Sequence, residues 1–228
     1  VDASKEISIN GYNYDLQSYV VYSLNDSGAG SLRSILASAN ASSTTDTISF
    51  SVSGTISRSS TLSISDDVTI DGGDKITITG NDNVQIFNVD DNSSSAINVT
   101  IENIALTHGH AGGGGWCSSG SSNGGAIYND GETVTLSKVD LTYNSAYSQV
   151  VSIYSIGGSL IINSASTLTH NTAPGGGGAI FVETGTLNID GASLSSNSSD
   201  YSGGAIYDEH STVTVNHASF SSNTSHTY

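Results

Sequence analysis

Seven aspartates fall between residues 66 and 91: Asp66, Asp67, Asp71, Asp74, Asp82, Asp90 and Asp91. Carboxylates this dense can gather the oxygen ligands of a Ca²⁺ ion, or divide acid and base work in polysaccharide cleavage. Their contexts, SDD, DGGD, GNDN and VDDN, are turn-like, and the nearest cation is Lys75. Three readings stand: solvated turn carboxylates, a structural Ca²⁺ site drawn from Asp66, Asp67, Asp71, Asp74, Asp90 and Asp91, or catalysis. No residue is assigned a catalytic role, and no cofactor is required beyond that Ca²⁺ candidate.

Other reactive types are sparser. His108 and His110 stand two apart, on one strand face if the strand continues, but a zinc site needs further ligands and no third is evident. His170, His210, His217 and His226 share no column at any regular spacing. No serine lies in a nucleophile-elbow context. The GGGG runs at 112–115 and 175–178 lack the Lys-Ser/Thr of a phosphate loop. Cys117, the sole cysteine, excludes an intrachain disulfide. Beside Trp116 it reads as a buried loop residue or an intermolecular contact.

Composition narrows the partners. The 228 residues carry 21 Asp plus Glu against 5 Lys plus Arg, a formal net charge of −16. Nucleic acids and anionic membranes are bound largely through Lys and Arg, so this balance argues against both. No stretch approaches the ~20 apolar residues of a membrane helix. The chain begins at Val, which we read as a secreted form whose signal peptide has been removed. Six Asn-x-Ser/Thr sequons, at Asn25, Asn40, Asn92, Asn98, Asn197 and Asn223, are glycosylation candidates.

The elements that must position these residues repeat. GGAIY at 124–128 and 203–207 brackets GGAIF at 177–181. The apolar pairs Val134/Leu136, Leu160/Ile162, Leu187/Ile189 and Val213/Val215 recur at spacings of 26, 27 and 26. The aromatics Tyr128, Tyr154, Phe181 and Tyr207 keep the same spacings, and Asn144, Asn171, Asn197 and Asn223 recur at 27, 26 and 26. Short alternating runs between Gly, Asn and Ser, with nothing helical, predict stacked β-coils about 4.8 Å apart. The aliphatic columns are expected to form the core, the aromatics an inward or groove-lining stack, and the asparagines a ladder tolerant of left-handed backbone. Weaker copies at 47–56, 68–80 and 99–109 bring the count to about seven coils, and a Gly-rich insertion at 109–125 protrudes from one of them.

The ends differ. Residues 25–46 supply a turn and an amphipathic helix with Ser31 as N-cap and Leu32, Ile35 and Leu36 on one face, a cap for the first coil. Residues 1–24 precede it with Tyr12, Tyr14, Tyr19 and Tyr22, outside the coil period. They read as a hairpin on their own rod or as an arm that adds a strand to a neighbour.

The order YVVYSLNDSGAGSLRSIL, TISFSVSGTI, VTIDGG, ITITG and then GGAI(Y/F) followed by Asn-Ser/Thr, over residues 19–228, resembles the polymorphic-membrane-protein repeat family of adhesin-like surface proteins. That resemblance implies a right-handed parallel β-helix displayed at the cell surface, adhesive or structural, without catalysis. The motif falls on Gly124–Ile127, Gly177–Ile180 and Gly203–Ile206.

The whole reads as an all-β protein: a right-handed single-stranded parallel β-helix of ~26-residue coils over 47–228, with an N-terminal helical cap. The expected function is extracellular and non-enzymatic, self-assembly into a fibre, sheath or coat through the solenoid ends or the N-terminal arm. Trp116, Cys117, Tyr12, Tyr14 and Tyr19 are the assembly candidates. The alternatives are a monomeric adhesin passenger fragment and, third, a polysaccharide lyase or hydrolase.

Overall fold

The computed structural model describes residues 4–9, 12–112, 123–146 and 152–226. Among them the chain is all strand but for one helix, and the strands build three sheets, parallel throughout except for an N-terminal hairpin. This is a right-handed parallel β-solenoid, the hand favoured by crossovers between parallel strands.

Alternation sets the inside. Val134 pairs in register with Val99 and Leu160, and the column continues through Leu187 to Val213. Leu136, Ile101, Ile162 and Ile189 stack two residues further along, each at 0% exposure. Like therefore packs on like, one rung above another. The strands Val68–Thr79, Asn98–Thr107 and Thr133–Thr142 each bend sharply in the middle. At the bend Asp74, Asn103 and Lys138 have φ of 59°, 52° and 54°. One residue in left-handed backbone turns the sheet through a corner while most ladder bonds continue on either side. In the next coil the same corner, with Ala165 at φ 64°, separates Ser159–Ile162 from Thr167–Thr169.

The N-terminal end is closed from within. Strand β1 (Ser4–Ile9) makes an antiparallel hairpin with β2 (Tyr12–Val21). Residues Ser18–Val21 of β2 then run parallel to Thr47–Phe50 of β3 (Asp46–Phe50) in the same chain. The hairpin thus sits on its own rod, and residues 18–21 after it add to the chain's own ladder a parallel rung. With seven coils below it, the rungs span about 34 Å at ~4.8 Å per step.

Helix α1 (Leu32–Ala39) stands where the first coil would otherwise continue into the second sheet. Ser31 Oγ accepts the Ser34 N–H at 3.3 Å, the N-cap bond. Leu32, Leu36 and Ala39 are buried, whereas Ile35 is only partly so. The helix lies over the edge of Leu62–Ile64 and bonds its exposed carbonyls: Arg33 donates to Ser60 O and Thr61 O at 2.6 and 2.9 Å, and Asn40 Nδ2 to Ser63 O at 2.9 Å. An open strand edge is covered by the side chains of its own cap.

Asp26 pins the cap to the coils. Its carboxylate takes an ion pair from Arg58 at 2.6 Å and one from Arg33 at 3.4 Å, with a further bond from the Ser59 hydroxyl. Burial pushes the Asp26 carboxyl up, but Ser59 and the two guanidinium groups outweigh it and hold the group below its ordinary value. Arg58 is 2% exposed, and burial together with the neighbouring Arg33 lowers it to about 10. In the last described coil the core columns are half open: Val213, Val215 and Phe220 are 38, 42 and 47% exposed, against 0–1% for Leu187, Ile189 and Leu194 one rung earlier.

Candidate functional site

Three ladders run along the rod, each placed by the corner before it. The asparagine ladder is interior. Asn144 donates from Nδ2 to Leu106 O and to Asn171 Oδ1, both at 3.1 Å, and its backbone N–H reaches the same Oδ1 at 3.0 Å. Asn171 and Asn197 repeat the pattern one coil on, and Asn223 donates to Leu194 O at 2.8 Å. In the earlier coil Gly109 holds the position and supplies only its N–H, to Asn144 Oδ1 at 2.8 Å. Buried amides need both donors and the acceptor engaged, and here they are. The left-handed residue is not the asparagine but the one before it: His108, Tyr143, His170, Ser196 and Ser222, with φ between 51° and 56°.

That corner carries a contact the sequence reading missed. The Tyr143 ring stacks on His108 and on His170, centroids 5.5 and 5.1 Å apart and planes within 24°. Two of the histidines thus share a column, with a tyrosine between them and no metal-like convergence. Only the offset from the asparagine column, one residue back, would have revealed it. His108 Nδ1 instead meets Thr107 Oγ1 at 2.7 Å, and His110 Nδ1 meets Ser145 Oγ at 2.9 Å.

Of the inward or groove-lining stack that the pattern suggested, the inward alternative is not the one formed: the aromatic ladder faces outward from the main core. Ile127 packs in the core, and Asn129 bonds Ser155 Oγ and Glu132 O inside, so Tyr128 points the other way. Tyr128, Tyr154 and Phe181 are nevertheless 5–7% exposed, forming with Ala173 a second small core. Centroids along Tyr128, Tyr154, Phe181 and Tyr207 are 5.7, 5.2 and 4.9 Å apart. Within the GGGG run at 175–178, Gly176 lies against Tyr207, the last ring of this column. A Cβ on Gly176 would lie 2.8 Å from the Tyr207 ring, so glycine is needed there for close approach. Tyr128 donates to Asp130 at 3.0 Å and Tyr154 to Glu183. Burial first, and then these carboxylates, raise both phenols well above the ordinary tyrosine value.

The aspartates do not converge as a group. Asp71 caps its own turn and accepts from Asn103 Nδ2 at 2.9 Å, Asp67 accepts the Asn98 N–H at 2.6 Å, Asp66 accepts the Asp67 N–H at 2.8 Å, and Asp74 pairs with Lys138. Only Asp90 and Asp91 meet, joined by Glu132, with ligand oxygens within 4.8 Å of one another. Glu132 went unnoticed in the sequence, although it stands in register with Gly158, Gly185 and Ser211, a large acid in a column of small residues. It is 2% exposed and accepts the Ile97 N–H at 2.6 Å and the Asp91 N–H at 3.2 Å. Burial raises Glu132, whereas hydrogen bonds from Ser93 lower Asp91. Glu132 therefore holds a proton more readily than Asp91 does. A polymer could not reach Glu132, so the pair is poorly placed as a working acid and base. Any cation held there would have to compete with the turn's own N–H groups.

Of the sequons, Asn25, Asn92 and Asn98 are exposed. Asn197 is fully buried and its Nδ2 is taken by Leu168 O and Asn223 Oδ1, which excludes a glycan in the folded state. Asn223 and Asn40 likewise commit Nδ2, to Leu194 O and Ser63 O. Tyr19 is half-buried against the core, and its hydroxyl donates to Ser38 O in the cap helix at 3.4 Å, a contact within its own chain. Trp116 and Cys117 lie outside the described residues, as do the side chains of Tyr12 and Tyr14.

The third ladder is on the outside. Beyond the corner, one outward column reads Ser57, Thr79, Thr107, Thr142, Thr169, Ser195 and Ser221, a hydroxyl on every rung. Thr142 Oγ1 donates to Thr107 Oγ1 at 3.2 Å. The column beside it runs through Thr55, Thr77, Ala105, Asp140, Thr167, Ser193 and Ser219.

The family model described as Chlamydia polymorphic membrane protein (Chlamydia_PMP) repeat matches residues 165–183 and 191–209. Each matched stretch starts at a corner residue of positive φ, Ala165 or Gly191, and contains one ladder asparagine and one GGAI phrase. No curated protein matches the chain. A solved structure with some likeness is described as the "1.7 Angstrom Crystal Structure of jun a 1, the major allergen from cedar pollen". Its TM-score is 0.44 at 11% identity, over 92% of this chain and 78% of that one, a level at which nothing of that protein's activity transfers. The chain is a right-handed parallel β-solenoid, two coils of which, at 165–183 and 191–209, are similar to the polymorphic membrane protein repeat.

Proposed function

We propose that the protein is a non-enzymatic, extracellular rod displayed at a cell surface, where it serves as a structural element of a fibre, sheath or coat. The carrying observation is the match of residues 165–183 and 191–209 to a surface-protein repeat, within a stack of parallel coils held by an interior asparagine ladder. A further β-rung on the last described coil would bury the half-exposed Val213, Val215 and Phe220. In the fibre reading a second molecule supplies that rung; in a longer chain, its own next coil does so. Light scattering and negative-stain imaging of the purified 228-residue chain separate the two. Concentration-dependent rods that Phe220→Asp abolishes support assembly, and a monomer at every concentration overturns it. Protease shaving of intact cells tests display.

A monomeric adhesin is the second reading, favoured by the continuous outer hydroxyl column. Release of sugars from a polysaccharide, with or without Ca²⁺, would overturn the non-enzymatic assignment.

A further inference from the structure

The outer half-sheet that carries the hydroxyl column also holds a concavity of about 640 Å³. Asp74, Lys75, Thr77, Ala105, Lys138 and Asp140 line it. Ala105 interrupts the column between Thr77 and Asp140 with a methyl group, and Ile76, Ile104 and Ala165 complete the lining. Lys75 lies in the bulge between Asp71 and Ile76 and borders the concavity.

The charges are unusual for this chain. Of its five cations, Arg33 and Arg58 are locked on Asp26 and Lys5 sits in the N-terminal hairpin. The remaining two, Lys75 and Lys138, both border the concavity. Lys138 pairs with Asp74, while Lys75 is exposed and bonds to none of the described residues. Asp140 accepts from Thr167 Oγ1 at 2.6 Å through one oxygen and has the other to offer.

We propose that this concavity and the adjoining hydroxyl column bind a neutral, hydroxyl-rich linear polysaccharide laid along the rod. Sugar hydroxyls both donate and accept, and here ammonium and hydroxyl donors alternate with carboxylate acceptors within one depression. Two lysines offset two aspartates locally, while the net charge of −16 repels a polyanion. The site is open, and the same hydroxyl recurs every ~4.8 Å, which suits an extended chain better than an enclosed small molecule. The inference goes beyond the structural role proposed above and does not need assembly to be correct.

The test is affinity electrophoresis of the full chain in native gels containing galactomannan, hydroxyethylcellulose, dextran or alginate. Retardation by at least one neutral polymer, and none by alginate, is expected. Lys75→Ala/Asp140→Ala should weaken it about tenfold or more, the loss of charge-assisted hydrogen bonds. The melting temperature should stay unchanged, because both side chains are exposed. Asn188→Ala, on the outer face of the other half-sheet, should bind as the parent does. No retardation by any neutral polymer, retardation by alginate alone, or undiminished binding by the double variant overturns the proposal. Ice shaping without polysaccharide binding would also overturn it and reassign the hydroxyl column. None of these outcomes bears on display at the surface, which protease shaving reads separately.

Discussion

Two polar ladders run along the same rod at the same period, and only one of them holds the coils together. The asparagines at 144, 171 and 197 are at 0% exposure and every amide atom is matched within the stack. The hydroxyls from Ser57 to Ser221 stand in equally good register on the outside, where water competes for each bond. Register is therefore not strength. A hydrogen bond contributes about 1 kcal/mol net, but a buried group left without its partner costs about 1–3 kcal/mol.

Removing one interior rung should give the largest effect. Asn171→Ala strands Leu141 O and the Asn144 amide, and roughly 3–5 kcal/mol should be lost, read as a lower urea midpoint at unchanged slope. A loss below about 1 kcal/mol would end the distinction between the ladders.

The cap is the intermediate case, because Arg58 is buried while the Asp26 side chain is 25% exposed. Arg58→Ala removes one partner of a mostly buried pair and should cost about 3 kcal/mol. Asp26→Asn should cost less and leave a signature in pH. The folded Asp26 lies below its ordinary carboxylate value, so its contribution is complete above about pH 4 and disappears as pH falls through the folded value. The variant should lose that acid limb in thermal melts from pH 7 to 2.

Glu132 runs the other way. Its folded value is raised, so its contribution is present below the ordinary value and lost as pH rises through the folded one. Glu132→Gln should therefore melt at or above the parent temperature at pH 7 and no higher than the parent at pH 4. Smallest of all, Thr142→Ala on the outer ladder should change stability by less than about 0.5 kcal/mol. A cost like that of Asn171→Ala would show that the outer ladder is structural.

Legibility followed spacing. The aliphatic, aromatic and asparagine columns could be read because identical residue types recur at 26 or 27. The stack of His108, Tyr143 and His170 could not, because its members differ in type and the Gly-rich insertion stretches one interval to 35. Glu132 was hidden for a related reason: it occurs once, and its partners Asp91 and Ile97 lie 41 and 35 residues earlier. The amphipathic pattern at 31–36 named the helix and its N-cap, while the bonds from Arg33 and Asn40 to a strand edge over 20 residues away had no local signal.

The aromatic column shows where the division lies. Alternation by itself settles that Ile127 and Tyr128 face opposite ways, since successive strand residues must. It does not say which face is dry. Stacking between successive coils and packing with Ala173 bury Tyr128, Tyr154 and Phe181, contacts that alternation along one strand does not contain. The repeat, the parallel stacking and the identity of the ladders were decided by residue type at fixed separation. Which ladders are buried, which carboxylates meet and what closes the first coil were decided by contacts between coils, because burial depends on what lies above a residue and not on the residue itself.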